Sequence, residues 1–238
     1  LKRILAFGTV SQLGLLTVVL GYGTRDAALA GIALMISHAL FKSALFLVVG
    51  VIDRQLGTRD IDELSGVGRQ APVMATFSFI AIASMIGFVP TLGFVAKEAA
   101  FTAFLAEGQG GAVWGWIALV GIVIGSGLTV GYGARFLWGA FWTKPDIERT
   151  EWPDPPIGFL GAPVLLAGLT VVGGIAAPWI DPALQTYAET APAASAGVAA
   201  PDHAYHLSLW HGFEPALWLS ILTLLLGAGA FWLVRATH

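Results

Sequence analysis

The stretch AALAGIALMISHALFKSALFLVVGVI, residues 27–52, decides the fold class of this chain. It is 26 residues long, and His38 and Lys42 are its only ionisable side chains. A helix needs about 20 predominantly apolar residues to cross the roughly 30 Å hydrocarbon core of a bilayer. The stretch is therefore predicted to be a transmembrane helix with two titratable groups in its interior.

Other apolar runs of similar length flank this stretch. One of them is interrupted by GFVPTLG at residues 87–93, where the proline removes a backbone donor and the glycines loosen the helix. This pattern predicts two half-helices. The sequence therefore predicts an all-α integral membrane protein of about six transmembrane helices, one of them discontinuous near Gly87–Gly93. The other runs cover residues 4–20, 73–96 with a continuation to 106, 112–141, 158–180 and 215–234.

Composition supports a membrane protein and excludes several other classes. Hydrophobic residues make up 56% of the chain and charged residues 11%, whereas soluble domains average about 25% charged residues. The net charge of -3 and the scattered basic residues exclude a nucleic-acid groove. The absence of cysteine excludes disulfides and thiolate metal sites. The spacing of His203, His206 and His211 fits no strong metal-ligand pattern, so neither a metal nor another cofactor is expected.

The basic residues predict the orientation and the organisation of the chain. Loops rich in Lys and Arg stay cytoplasmic, and the predicted spans place all but Arg25 of the loop cations on the side of Lys2 and Arg3. Because the chain opens directly into an apolar stretch without Met, we interpret it as a piece of a longer protein. We expect the chain to have four parts. The first, residues 1–106, is a helical membrane unit that contains the candidate charges, and further transmembrane helices follow at 107–180. An extramembrane Ala/Pro-rich loop of little regular structure covers 181–213, and a last transmembrane helix covers 214–238.

Lys42 is the first candidate functional residue. A lysine at the centre of a membrane span costs about 2.5–3.5 kcal/mol, so one retained there usually faces a cavity or a partner and has a function. His38 lies four residues earlier and therefore on the same helical face. Together they are candidates for proton exchange. The alternative is that both only form hydrogen bonds with neighbouring helices or buried waters.

Lys97 and Glu98 follow the predicted helix break. Broken helices at membrane depth expose backbone groups that only a protein-lined or water-filled cavity can satisfy, and such breaks recur at transporter ion sites. Neighbouring helical residues point about 100° apart, so Glu98 can face a different helix from Lys97. The alternative is an interfacial charge pair at the end of a short span. Lys2 is either part of the same polar system or a positive-inside anchor.

Three motifs resemble one membrane family in their order and spacing. They are LKRILAFGTVSQLG at residues 1–14, SHALFKSALF at 37–46 and GFVAKE at 93–98. These residues resemble the antiporter-like subunits shared by Mrp-type multisubunit Na+/H+ antiporters and respiratory complex I. The resemblance covers residues 1–106 and extends to the rest only as hydrophobic spans. Leu34, where complex I relatives often carry histidine, and the Lys97-Glu98 pair favour the A subunits of the Mrp type.

The resemblance implies a fold and a set of site residues. The fold would consist of two inverted five-helix repeats, each with one discontinuous helix, and this chain would hold most of the second repeat and the helices after it. Lys2 would be a connecting lysine, His38 and Lys42 the central proton relay, Lys97 the terminal lysine and Glu98 its acidic neighbour.

The expected function is that of a transporter subunit, not an enzyme. It would exchange H+ for a monovalent cation, Na+ above all, in a prokaryotic cell membrane, with other subunits and the lipid bilayer as partners and no cofactor or nucleic acid. One alternative is a proton-pumping subunit of an NADH:quinone oxidoreductase assembly. A second alternative is a structural membrane scaffold whose buried charges are inert.

Overall fold

The computed structural model describes residues 1–153, 155–191 and 205–236, which form an all-helical bundle without strands. Five of its helices are long and apolar enough to cross a membrane, and a shorter apolar helix covers Pro72–Ile86. The predicted all-α fold is therefore confirmed. The helices are α1 Lys2–Gly21, α2 Arg25–Leu56, α3 Val67–Gln70, α4 Pro72–Ile86, α5 Leu92–Gln109, α6 Val113–Phe141, α7 Ile157–Ile175, α8 Ala177–Ala188 and α9 Pro215–Ala236.

The predicted interruption separates α4 from α5. Gly87 ends α4 in the left-handed region, with φ of 76°, which glycine adopts without a steric penalty. Thr91 caps α5, and its side chain accepts a hydrogen bond from the Phe94 amide at 3.4 Å. The two half-helices α4 and α5 thus lie on either side of the predicted break.

Helix α2 lies at the centre of the bundle and packs against α1, α4, α5, α7 and α8. Its 32 residues therefore contact protein along most of their length. A second close contact joins α6 to α9, where a Cβ on Gly227 would lie 2.8 Å from Val130 Cγ1. Small residues allow this approach. The bundle thus encloses the middle of α2, where Lys42 lies.

The predicted cytoplasmic loops meet at one end of the bundle. The Gly66 amide donates to the Trp142 carbonyl at 2.9 Å. Lys144 Nζ donates to the carbonyls of Leu64 at 2.8 Å and Gly139 at 3.1 Å, and also to that of Ile61. These bonds hold the loop before α3 against the loop after α6, which agrees with the positive-inside assignment of both loops.

The opposite end differs from the expectation. We expected one span over residues 158–180 and little regular structure over 181–213, but α7 ends at Ile175 and α8 continues to Ala188. The side chains of Asp181 and Gln185 are buried and bonded to each other at 3.0 Å. The buried face of α8 is thus polar, and a search for apolar runs does not detect such a helix. His203 lies outside the described residues.

Candidate functional site

Lys97 lies in α5, buried beside the helix break, with 6% of its surface exposed. Its Nζ donates to the Ile86 carbonyl at 3.0 Å and to Thr223 Oγ1 of α9 at 2.7 Å. Ile86 is the last residue of α4, so the break frees this carbonyl from the helical ladder. A Cβ on Gly87 would lie 2.6 Å from Lys97 Cδ, and glycine therefore makes room for the lysine.

Lys42 is also buried, with 4% of its surface exposed, where α1, α2 and α6 meet. Its Nζ donates to the Leu5 carbonyl at 3.2 Å and lies 5.8 Å from the centre of the Tyr132 ring. A Cβ on Gly8 would lie 2.9 Å from this nitrogen. An ammonium has three donors, and this single hydrogen bond leaves most of its capacity free for a water or a proton acceptor.

A small cavity of about 20 Å³ lies beside Lys97, where α1, α2, α4, α5 and α6 meet. This space is enough to hold one water molecule. On one side, Gln12 Nε2 of α1 donates to Thr129 Oγ1 of α6 at 3.1 Å. On the other side, the hydroxyls of Ser37 and Ser84 are 3.3 Å apart. The polar side chains around the cavity are Gln12, Ser37, Ser84, Lys97, Ser126 and Thr129.

Tyr132 joins this cavity to Lys42. Its hydroxyl is buried without a hydrogen-bond partner among the described residues, and it lies beside the side chains of Gln12 and Thr129. The ring of Tyr132 covers the Lys42 ammonium. We call the resulting set the polar row. It runs through Lys42, Tyr132, Gln12, Thr129, the cavity, Ser37, Ser84 and Lys97.

His38 lies beside the polar row and not within it. Its ring packs edge-on against Phe41 at 5.3 Å, and Nδ1 is buried without a hydrogen-bond partner in the described part of the chain. His38 interacts with Lys42 electrostatically but not through a hydrogen bond. Its neighbour Ser37 lines the cavity instead.

Glu98 forms no ion pair with Lys97 in the described part of the structure, although the two groups interact electrostatically. It is 5% exposed, and its Oε1 has no hydrogen-bond partner within the described residues. It interacts electrostatically with Glu214 and Tyr205 at the end of the bundle near α8. Lys2 is exposed at the opposite, basic end of the bundle, outside the polar row.

Sequence reasoning missed the uncharged members of the polar row. Hydroxyl and amide side chains inside an apolar span give a weak signal because a helix can satisfy a hydroxyl locally. Thr9, Thr17 and Ser78 do so, each donating to the carbonyl four residues earlier. Among the missed residues, only Gln12 has a recognisable signal in the sequence, because an amide side chain is less readily satisfied by the carbonyl four residues earlier in its own helix. The missed residues are Gln12, Ser37, Ser84, Thr129, Tyr132 and Thr223.

Replacing Gln12 with leucine tests the polar row. Leucine has a similar volume but no hydrogen-bond donor. The substitution therefore leaves Thr129 Oγ1 without this partner and makes one wall of the cavity apolar. For the proton relay that the motif resemblance implies, we expect this substitution to slow proton transfer by about tenfold, a loss of about 1.4 kcal/mol of barrier stabilisation. Gln12→Glu, which keeps polarity, should retain more activity than Gln12→Leu. Equal activity of Gln12→Leu and the parent protein would contradict a role for the row.

The amino-acid sequence matches the family model described as NADH:quinone oxidoreductase/Mrp antiporter, TM, over residues 1–129. It is 36% identical over 239 residues to the A/B subunit of a probable K+/H+ antiporter of Rhizobium meliloti, covering 99% of this chain and 23% of that protein. It is also 36% identical over 248 residues to the A subunit of the Na+/H+ antiporter of Alkalihalophilus pseudofirmus, covering 93% of this chain and 30% of that protein.

Structural similarity extends over the same length. The fold matches a chain of the Mrp complex from Dietzia sp. DQ12-45-1b with a TM-score of 0.81 and 38% sequence identity. The match covers 99% of this chain and 24% of the other. The chain thus spans 23–30% of the length of these relatives. The similarity also reaches well past residue 106, where the resemblance recognised in the sequence ends.

Proposed function

We propose, from the premise that this chain belongs to the NADH:quinone oxidoreductase/Mrp antiporter transmembrane family, that it is the part of an antiporter protein that relays protons between Lys42 and Lys97. The full assembly would exchange these protons for a monovalent cation. Relatives named as subunits of Na+/H+ and K+/H+ antiporters support cation exchange as the reaction. Other subunits of the assembly, the bilayer of a prokaryotic cell membrane, Na+ and H+ are its proposed partners.

The polar row is the observation that carries this proposal. Two buried amines lie at its ends, and hydroxyl and amide groups line the cavity beside Lys97. Hydroxyls and water both donate and accept hydrogen bonds, so they can pass a proton between amines that do not touch. Intramembrane ionisable residues arranged along such a path are typical of proton relays.

The helix break gives the relay a defined end. The Lys97 ammonium is held by the freed Ile86 carbonyl and by Thr223 Oγ1, both neutral acceptors. Neutral partners stabilise the charged form less than a carboxylate would. Lys97 can therefore lose and regain its proton as the charge at Lys42 or Glu98 changes. The charges of His38 and Glu98 would change how readily Lys42 and Lys97 release and regain a proton.

A redox-driven pump and an inert scaffold remain the competing functions. Composition of the purified complex separates the pump from the antiporter, because flavin or iron-sulfur subunits copurify only with the redox assembly. Two isolated lysines hydrogen-bonded directly to carbonyls in dry packing would favour a scaffold. The cavity and the buried Tyr132 hydroxyl beside Gln12 and Thr129 favour a relay instead.

Lys42→Ala in the full-length protein, assembled with its partners in proteoliposomes, tests the relay directly. We expect cation-driven proton movement to fall by about a hundredfold or more, because general acid–base groups contribute about 10²–10⁴-fold to proton transfer. A pH-sensitive dye inside the vesicles measures the rate. Arg69→Ala removes a positive charge from an exposed position outside the polar row and should transport at nearly the parent rate. Normal transport by Lys42→Ala in an intact complex would instead support a scaffold.

A further inference from the structure

A cleft of about 360 Å³ opens at the basic end of the bundle, between the final turns of α6 and α9. Arg135 of α6, Lys144 of the following loop and Arg235 of α9 line this cleft. Asp62, from the loop before α3, is the acidic residue that lines it as well. None of these four residues belongs to the polar row.

Aromatic rings hold Arg235 in place. Its guanidinium carbon lies 3.6 Å from the centre of the Trp138 ring and 5.4 Å from that of the Trp232 ring. Trp138 in turn stacks on Trp142, with ring centres 4.8 Å apart. A guanidinium is attracted to the face of an aromatic ring, and its N–H groups stay free to donate at its edge. Arg235 is thus oriented, and no described residue forms an ion pair with it.

Arg135 brings a second guanidinium to the cleft from another helix. It precedes Trp138 by three residues, so both side chains lie on the same face of α6. Arg135 is exposed, and within the described ranges it forms no ion pair and no contact with an aromatic ring. Its charge is therefore available to a ligand.

Lys144 and Asp62 add little net charge. The Lys144 ammonium donates to the carbonyls of Leu64 at 2.8 Å and Gly139 at 3.1 Å, which ties it to the protein backbone. It also interacts electrostatically with the Asp62 carboxylate, so the two charges compensate each other. The charges of the cleft that remain are those of Arg135 and Arg235.

The cleft lies at the depth that lipid headgroups occupy. Helices α6 and α9 are both long and apolar enough to cross a membrane. Arg135 and Arg235 lie in the last two turns of these helices, where a span leaves the hydrocarbon core. Trp142 and Trp232 are exposed at the same end, as aromatic rings at a membrane interface usually are.

We propose that this cleft binds the headgroup of an anionic phospholipid, with the phosphate between the guanidiniums of Arg135 and Arg235. Arginine binds phosphate oxygens through two parallel N–H donors, and basic pockets between transmembrane helices bind such headgroups. Phe231 and Val234 form an apolar wall of the cleft, and Leu226, earlier on α9, exposes apolar surface to an acyl chain. The inference goes beyond the proposed antiport function and does not depend on it.

The charge of the cleft favours an anionic over a zwitterionic lipid. A phosphatidylcholine headgroup has a cation beside its phosphate, and the second guanidinium repels that cation. Phosphatidylglycerol has neutral hydroxyls in the same place, and these can donate to the Asp62 carboxylate. A free phosphate ion suits the guanidiniums but leaves the apolar wall of Phe231 and Val234 uncovered.

Photocrosslinking of phosphatidylglycerol to the full-length complex tests this site. The complex is reconstituted in phosphatidylcholine vesicles with a rising fraction of phosphatidylglycerol that has a photoactivatable acyl chain, and crosslinked peptides of α6 and α9 are quantified. We expect saturable crosslinking in the parent protein. The lipid fraction that gives half-maximal crosslinking should rise about fivefold in Arg135→Gln and in Arg235→Gln, because each basic residue contributes about this factor near an anionic lipid.

Two further variants control for charge and for folding. Arg69→Gln removes the same charge from an exposed position at the basic end that does not line the cleft, and it should match the parent. Asp62→Asn removes the opposing carboxylate and should lower the half-maximal lipid fraction. The Arg135 side chain forms no described ion pair, so Arg135→Gln should assemble normally, and thermal unfolding of the purified complex checks this.

Three results would overturn the proposal. The first is the same half-maximal lipid fraction in Arg135→Gln, Arg235→Gln and Arg69→Gln. The second is equal crosslinking by photoactivatable phosphatidylcholine. The third is displacement of the lipid by millimolar inorganic phosphate but not by chloride of equal ionic strength, which would assign the cleft to a soluble anion. The measurement uses no ion gradient, so a failure of the antiport function would leave its result unchanged.

Discussion

Lys97→Ala should reduce cation-driven proton movement by at least about a hundredfold, the usual range for removal of a general acid–base group. The reason is geometric as well as chemical. The only amine beside the α4–α5 break in the described structure is that of Lys97, and its two acceptors, the Ile86 carbonyl and Thr223 Oγ1, cannot hold a mobile proton in its place. The measurement is dye-reported proton flux in proteoliposomes of the assembled complex after a Na+ or K+ jump.

Lys97→Arg distinguishes titration from charge alone. Arginine retains the positive charge but does not release its proton at any physiological pH. Transport should therefore be lost in Lys97→Arg as it is in Lys97→Ala, although the site keeps its charge. Parent-like flux through Lys97→Arg would show that this position supplies only a fixed charge.

Gly93→Ala should produce the largest loss of stability of any single methyl addition near the site. A Cβ at this position would overlap the carbonyl oxygen of Ser84 and lie 2.7 Å from the Ser84 carbonyl carbon. These are backbone atoms, so no side-chain rotation can relieve the contact. The half-helices must separate, at a cost on the order of 3 kcal/mol, the upper part of the range for overpacked cores. Thermal unfolding of the purified complex measures the effect.

Gly125→Ala is the matched control for this substitution. Gly125 lies within α6 and has no atom within 4 Å of the position that a Cβ would take. Alanine also has the higher helix propensity, so this variant should unfold at or above the parent temperature. If Gly93→Ala and Gly125→Ala unfolded at the same temperature, the close packing of α4 on α5 would be contradicted.

The motif resemblance and the membrane class came from the sequence and are confirmed by the family match and the fold. Two features made this possible. Apolar runs long enough to span a bilayer are a local property of the chain, and a lysine stranded inside such a run is conspicuous. The burial of Lys42 and Lys97 followed from their positions alone. Their roles in proton transfer stay predictions.

The partners of these lysines could not be predicted in the same way. Gln12 meets Thr129 across 117 positions of sequence, and Lys97 meets Thr223 across 126. Such pairs depend on the crossing angles and rotations of whole helices, which side-chain packing sets. A hydroxyl within an apolar span looks the same in sequence whether it faces lipid, its own helix or a cavity.

Sequence by itself determined the helical class, the number of spans, the break after α4 and the burial of two amines, because hydrophobicity and backbone freedom act along the chain and depend on neighbouring residues. Tertiary structure alone decided that Ser37 and not His38 lines the cavity, that Oε1 of Glu98 is buried without a hydrogen-bond partner among the described residues, and that α8 buries Asp181 and Gln185. These outcomes follow from contacts between distant segments, and packing of the whole bundle fixes such contacts.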